Sequence, residues 1–294
     1  IMKIGFIGLG HMGGAIAGRV LGGGHELQVY NRTPGKAADL AAAGAQALAS
    51  IALACAGREV VITMLADDAA LEAVALGEGG LCASLAAGAI HMVMGTHGVG
   101  IVRTLTAAHA ALGQTLVAAP VLGRPDAAAA GQLGIVAAGP ADALQRCAPL
   151  FEVIGKRTFV AGASPDAATS IKLANSFVLG CALEAMSEAF SLVRRYGVAP
   201  GVLYDVMTEG LFAAPAYKVY GKIMVDEAWD QVGFTTRLAL KDVSLVLAAG
   251  ELERVPLPSA STLRDRLLGA IAHGDAERDW AVLAREQARS AGLE

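Results

Sequence analysis

The chain has 294 residues, 54% of them hydrophobic and only 17% charged, which excludes an intrinsically disordered protein and suits a buried α/β chain of two domains. A net charge of −4 offers no broad basic surface, so nucleic acid is not an expected partner. The four cysteines form no C-x-x-C pair, and the chain enters a strand at Lys3 with no visible signal peptide, so a reducing cytoplasm is the expectation. The longest uncharged run, Gly79 to Val102, is broken by glycines and by His91 and His97, and no membrane span is expected there.

Residues 3–7 (KIGFI) read as a buried strand, followed at once by Gly8-Leu9-Gly10-His11-Met12-Gly13 and an alanine-rich helix ending near Gly22. Residues 27–30 form the second strand. Strand, G-x-G-x-x-G, helix, strand is the order a dinucleotide site requires. The first glycine permits the tight turn, the second lets the backbone approach a pyrophosphate, and the third lets helix and strand pack closely. His11 is read as a contributor of its backbone amide only. The second strand ends in Asn31-Arg32-Thr33, where a site for NAD would want a carboxylate on the ribose. Asn31 is neutral, Arg32 can fork onto a 2′-phosphate, Thr33 adds a hydroxyl and Lys36 stands nearby, so NADPH is expected.

Further strands are expected at 59–64, 89–94, 115–119 and 133–137, with helices at 36–43 and 100–113, a helix start at Pro125-Asp126, and 120–124 read as a loop. Alternating strand and helix over about 160 residues is the doubly wound pattern with a mostly parallel sheet. Its ligands should lie beyond the carboxyl ends of the strands, where Met64-Leu65, Thr96 and Leu122-Gly123 fall. From Pro165 the pattern turns all-helical, with segments at 165–195, 199–209, 215–226, 238–253, 258–272 and 277–291. The expected architecture is a Rossmann domain over 1–162 and an all-helical substrate and dimerisation domain over 163–294.

The segment 165–195 opens on Ser164-Pro165-Asp166 and closes on Arg194-Arg195 before Gly197, the start and stop signals of one helix. Between Leu173 and Leu183 it is uncharged and apolar nearly all round, so burial on most sides is expected. On it Lys172 shares a face with Asn175 and Ser176. The plain reading is a lysine snorkelling to water; the alternative is a catalytic group.

Taken together, GLGHMGG at 8–14, YNRTPGK at 30–36, TML at 63–65, APVLG at 119–123, IKLAN at 171–175 and LKD at 240–242 resemble the β-hydroxyacid dehydrogenases, the group of 3-hydroxyisobutyrate dehydrogenase and the glyoxylate/succinic semialdehyde reductases. The resemblance covers nearly the whole chain. It implies a Rossmann domain, a helical C-terminal domain and a dimer or tetramer built through the latter. It also implies Lys172 as the catalytic lysine, Asn175 as the substrate-holding asparagine, Thr96 and Lys241 as cofactor contacts, and Phe234 and Asp242 on the far side of the substrate site. Two departures stand out. The loop that reads A-P-V-S-G in the family, with its serine on the substrate carboxylate, reads Ala119-Pro120-Val121-Leu122-Gly123-Arg124 here. The stretch after Thr96, usually rich in hydroxyls, reads His97-Gly98.

The expected chemistry is hydride transfer between NADPH and a small carbonyl compound, with Lys172 as ammonium donating the proton and its pKa lowered by an apolar surround. An imine reductase is the alternative: Leu122 in place of the serine favours it, and an ammonium beside an iminium opposes it. A non-catalytic nucleotide-binding scaffold is the third reading, opposed by Lys172, Asn175 and Lys241 occurring together. His97 is read as a loop histidine facing solvent or a backbone carbonyl in preference to an extra proton donor. His91 and His97 have no third ligand at a metal spacing, so no metal is expected.

Overall fold

The computed structural model describes residues 1–293. Nine strands among them form one sheet: β1 (Lys3–Ile7), β2 (Glu26–Tyr30), β3 (Gln46–Ala47), β4 (Val60–Thr63), β5 (Ile90–Val93), β6 (Thr115–Ala118), β7 (Val121–Leu122), β8 (Leu133–Ala138) and β9 (Gly155–Gly162). The order is β3-β2-β1-β4-β5-β6-β8-β7, with β9 on β8, and every pair from β3 to β6 is parallel. β8 runs antiparallel to β6 and β7 and parallel to β9.

The central strands β4 and β5 are buried along their whole length because helices cover both faces. Alternation assigns Ile4, Phe6, Ile62 and Met92 to one core and Ile7, Val61, Val93 and Leu116 to the other. By the same alternation Thr63 and His91 fall among the second set, and both are fully buried.

The expected strands and the helices at 100–113 and 165–195 stand within a few residues of their expected ends. The loop expected at 120–124 contains the short strand β7. The stretch 139–162, for which no element is expected, holds the helix Ala141–Ile154 and β9. That helix carries Pro149 in its interior, which removes one backbone donor. Burial of Cys147, Leu150, Phe151 and Ile154 holds it together nonetheless.

The chain divides into two compact units, one over Ile1–Lys172 and one from Leu173 onward. The division falls inside the long helix Pro165–Arg195, not at its start. Its first turns belong to the sheet unit, since Ala168 is buried in the second core and Asp166 pairs with Arg103 at 2.7 Å.

The second unit is helical: Pro200–Glu209, Pro215–Val225, Thr236–Leu252, Pro258–Ala272 and Leu283–Ser290 follow the long helix. The last expected segment opens with a 3-10 turn, Trp280–Val282, before the α-helix. The long helix departs from expectation in its burial. Leu173, Gly180 and Leu183 are buried, whereas Ala174, Asn175 and Val178 are exposed, Val178 at 66%. By length and composition alone this helix could cross a bilayer, but it carries Glu184, paired with Arg266 at 2.9 Å, on a face buried among other helices.

Candidate active site

The glycine loop follows β1 and leads into the helix His11–Gly22. Gly8 has φ +97° and donates its N–H to the Tyr30 carbonyl at 3.1 Å, so β1 and β2 are locked where the turn begins. A methyl on Gly8 would overlap the Met64 carbonyl oxygen, and one on Gly13 would overlap the Gly8 carbonyl oxygen. Nothing lies within 4 Å of the methyl position on Gly10. No side chain caps the helix, and no acidic residue stands in its first turn. Open space at Gly10 above an uncapped helix N-terminus is what a pyrophosphate needs, so the residues present fit a dinucleotide.

Asn31, half-buried at the end of β2, spends its amide on the backbone. Its Oδ1 accepts the Leu9 N–H at 2.8 Å and its Nδ2 donates to the Thr33 carbonyl at 2.9 Å. The residue therefore fastens the glycine loop to the 31–33 turn. Arg32, Thr33 and Lys36 are exposed, and neither cation is paired with a carboxylate among the described residues.

The segment 64–68 lies beyond β4, and 94–98 beyond β5. Asp67 caps the helix Asp68–Leu76 by accepting the Ala70 N–H at 2.8 Å. Asp68 holds the other segment: its carboxylate accepts the Gly98 N–H at 3.0 and 3.2 Å and meets His97 Nδ1 at 3.2 Å. His97 is thus neither solvent-facing nor on a backbone carbonyl; it is 1% exposed and paired with Asp68. Gly95 makes this possible. A methyl there would overlap His97 Nε2 and lie 2.8 Å from the Leu65 carbonyl oxygen. The neighbouring Thr96 is half-buried and engaged.

Leu122, in β7, packs across the ladder onto Gly134, with its Cβ 3.4 Å from the methyl position there, and against the second core. Gly123 has φ +139°, and Arg124 follows, partly exposed, at the start of the helix Pro125–Ala129.

In the helical unit, Phe234 is held from behind. Asp279, fully buried, accepts N–H bonds from Gly233 at 2.9 Å, Phe234 at 3.2 Å and Ala281 at 3.1 Å. The Phe234 ring meets Trp280 edge-on at 5.4 Å between centroids. Thr235 then caps the helix Thr236–Leu252 through its hydroxyl, and this helix carries Lys241 and Asp242. Lys241 Nζ lies 3.1 Å from Asp242 Oδ1, and Ser176 Oγ lies 3.5 Å from Asp242 Oδ2. Asp242 is 4% exposed, whereas Asn175 is exposed and Lys172 intermediate. Asp68 and Asp279 are not legible in the sequence as holders of the site. Each is 30 or more residues from an amide it holds, and neither carries a motif that announces this role.

Residues 3–162 match the model of the NAD-binding domain of 6-phosphogluconate dehydrogenase, and residues 167–286 match that of the NAD-binding domain of NADP-dependent 3-hydroxyisobutyrate dehydrogenase. The chain belongs to the β-hydroxyacid dehydrogenase family. It is 43% identical to an uncharacterised oxidoreductase, YfjR, of Bacillus subtilis, over 96% of this chain and 98% of that one. It is similar to the Mycobacterium tuberculosis 3-hydroxyisobutyrate dehydrogenase solved with L-serine, at 26% identity and a TM-score of 0.88, over 97% of this chain and 99% of that one. An imine reductase from Aspergillus terreus in complex with NADPH4 is also similar, at 25% identity and a TM-score of 0.66, over 96% and 98%. Membership makes the protein an oxidoreductase with a nicotinamide cofactor.

Proposed function

We propose that this enzyme is an NADPH-dependent reductase of a small carbonyl compound, run reversibly, with Lys172 as its proton donor. The observation that carries the cofactor preference is the end of β2. Asn31 is committed to Leu9 and Thr33, no carboxylate stands there, and Arg32 and Lys36 are exposed cations. A 2′-phosphate would meet Arg32, Thr33 and Lys36; a bare ribose would find no acid to hold its hydroxyls. The glycine loop and the helix N-terminus would hold the pyrophosphate, with Met64 and Leu65 as further contacts from their place beyond β4, and Thr96 and Lys241 as the family resemblance implies.

When bound, the cofactor supplies the hydride in reduction and accepts it in oxidation. Lys172, as ammonium, donates a proton to the substrate oxygen as negative charge develops there; in oxidation the neutral amine takes the proton back. Asn175, one turn further along the same helix face, orients that oxygen. Leu122 stands where the family's loop carries the hydroxyl that grips a substrate carboxylate, so on this reading a carboxylate substrate would lack that partner. That replacement is also what favours the second reading, an imine reductase.

Lys172→Met separates the two. Carbonyl reduction should fall roughly 10²-fold or more in kcat, with cofactor affinity unchanged. Reduction of a cyclic imine, already protonated, should tolerate the change or gain from losing a like charge. Carbonyl turnover unaffected by the substitution would leave Lys172 as a snorkelling lysine and remove the assignment. For the cofactor, Arg32→Ala should weaken NADPH by the worth of a charge-assisted contact, about 1.5–3 kcal/mol, and spare NADH. Equal wild-type affinities for the two cofactors would refute the preference.

The same reading includes a homodimer in the cytoplasm. In the helical unit Val178, Leu192, Val202 and Val206 are each more than half exposed and Leu211 is 96% exposed, surface that a second copy would cover. Burial pushes the thiols of Cys55 and Cys147 up to about 12, so these two stay protonated and unreactive.

A further inference from the structure

Behind the cofactor edge of the sheet unit runs a chain of buried side chains: Thr63 at the end of β4, His91 in β5, His109 in the helix Val99–Ala111, and Gln114 in the turn before β6. Thr63 Oγ1 lies 2.9 Å from His91 Nε2, His91 Nδ1 lies 2.9 Å from His109 Nε2, and His109 Nδ1 lies 2.7 Å from Gln114 Oε1. The far end decides the direction of every link. Gln114 Nε2 donates to the carbonyls of Cys82 at 3.0 Å and Leu85 at 2.7 Å, so its Oε1 faces His109 as an acceptor. Burial favours a neutral His109, and a neutral ring facing that acceptor carries its proton on Nδ1, which leaves Nε2 to accept. His91 must then donate from Nδ1, and its bare Nε2 accepts the Thr63 hydroxyl proton. Both imidazoles are neutral, each with one donor and one acceptor used, and the chain closes with no orphaned atom.

We infer that His91, His109 and Gln114 are positioning residues for the cofactor segment, acting through Thr63. The route onward from Thr63 is short. Its carbonyl accepts the Met94 N–H at 2.9 Å, and Met64, the next residue, donates to Ile7 at 3.0 Å and turns its carbonyl oxygen onto Gly8, the first glycine of the loop. The hydroxyl bond to His91 thus sets the rotamer and height of the last residue of β4, and with it the Met64–Leu65 segment against the glycine loop. The groups facing the two imidazoles are each other, His97 beyond β5, Thr63, Gln114 and the Cys82 thiol, whose Sγ lies 3.8 Å from both His109 nitrogens. No carboxylate is in hydrogen-bond contact with either ring among the described residues, so nothing there supports a charged form.

This inference rests on the reading of the glycine loop and Met64–Leu65 as a nicotinamide cofactor site, and two measurements keep the questions apart. Imidazole ¹⁵N NMR on the full-length wild type at pH 7.5 should find His91 and His109 neutral and protonated on Nδ1; a charged ring, or either histidine protonated on Nε2 alone, overturns the chain. Fluorescence titration with NADPH and with NADH should show Thr63→Val, which keeps the shape and removes the hydroxyl, weakening the better-bound cofactor by about fivefold, the worth of one hydrogen bond. Thr63→Ser should bring the affinity back towards wild type. Wild-type affinity in Thr63→Val, with only a lower melting temperature, would reduce the chain to a structural element and overturn the positioning role. A wild type that binds neither cofactor would sink the nicotinamide reading and the positioning role with it, while the tautomer result would still stand or fall separately.

Discussion

The four glycines of the loop at 8–14 are not equivalent, and single alanine substitutions should separate those that shape the loop from the one that makes room for a ligand. At Gly13 a methyl would overlap the Gly8 carbonyl oxygen and lie 3.0 Å from the Gly8 carbonyl carbon and 3.4 Å from Met64 Cβ. All but the last are backbone atoms, so no side-chain rotation relieves the clash. Overpacking of this kind costs about 1–3 kcal/mol or more, and Gly13→Ala should lose both stability and cofactor binding. At Gly10 the backbone, with φ −69° and ψ −172°, suits any residue, and no atom lies within 4 Å of the added carbon. Gly10→Ala should then keep or slightly raise stability, by up to about 1 kcal/mol through the unfolded chain. Its methyl nevertheless enters the space above the helix N-terminus and should weaken the cofactor by about tenfold or more. Gly14, also open but inside the helix, is the control: Gly14→Ala should stabilise by roughly 0.5–1 kcal/mol and bind normally. Urea denaturation and cofactor fluorescence titration on the three variants give the test. Gly10→Ala with wild-type affinity would show that the ligand does not pass over this glycine, and Gly13→Ala with wild-type stability would refute the packing argument.

Three further outcomes are expected. Asp279→Ala strips a buried acceptor from three backbone N–H groups and should cost about 3 kcal/mol or more in chemical denaturation, with Asp279→Asn falling between the variant and wild type. Burial, helped by the neighbouring histidines, holds His91 well below the ordinary histidine range, and burial lowers His109 against the opposing bond to Gln114. The unfolded chain therefore binds more protons below about pH 6.5, so the stability these two provide is complete above that pH and is lost as pH falls towards their folded pKa values. His25 is lowered as well, chiefly by burial, and adds to the same slope. Urea midpoints between pH 7.5 and 5.5 should fall in wild type and fall less steeply in His109→Gln; identical slopes would contradict the neutral-histidine assignment. Sedimentation at micromolar concentration should give a species larger than the 29.8 kDa monomer; a monomer would remove the proposed dimer.

What the sequence determined by itself was local. The glycine loop, its strand and its helix occupy consecutive residues, so their spacing announces both the turn and the anion site. The helix Pro165–Arg195 declares its two ends through Pro165 and Arg194-Arg195 and places Lys172, Asn175 and Ser176 on one face by periodicity alone. Tertiary structure decided whatever depends on which distant segments meet. Pro149 argues against a helix that core burial nevertheless keeps, and the exposed strand β9 carries no alternation to betray it. His97 reads as a loop residue until Asp68, 29 residues away, is brought to it. The tautomers of His91 and His109 follow only from the carbonyls that Gln114 meets, and Phe234 is set by Asp279, 45 residues on. Periodicity and capping act within a few turns of chain, so they can be read in order. A buried polar atom must be satisfied by whatever folding brings beside it, and no spacing along the chain states what that will be.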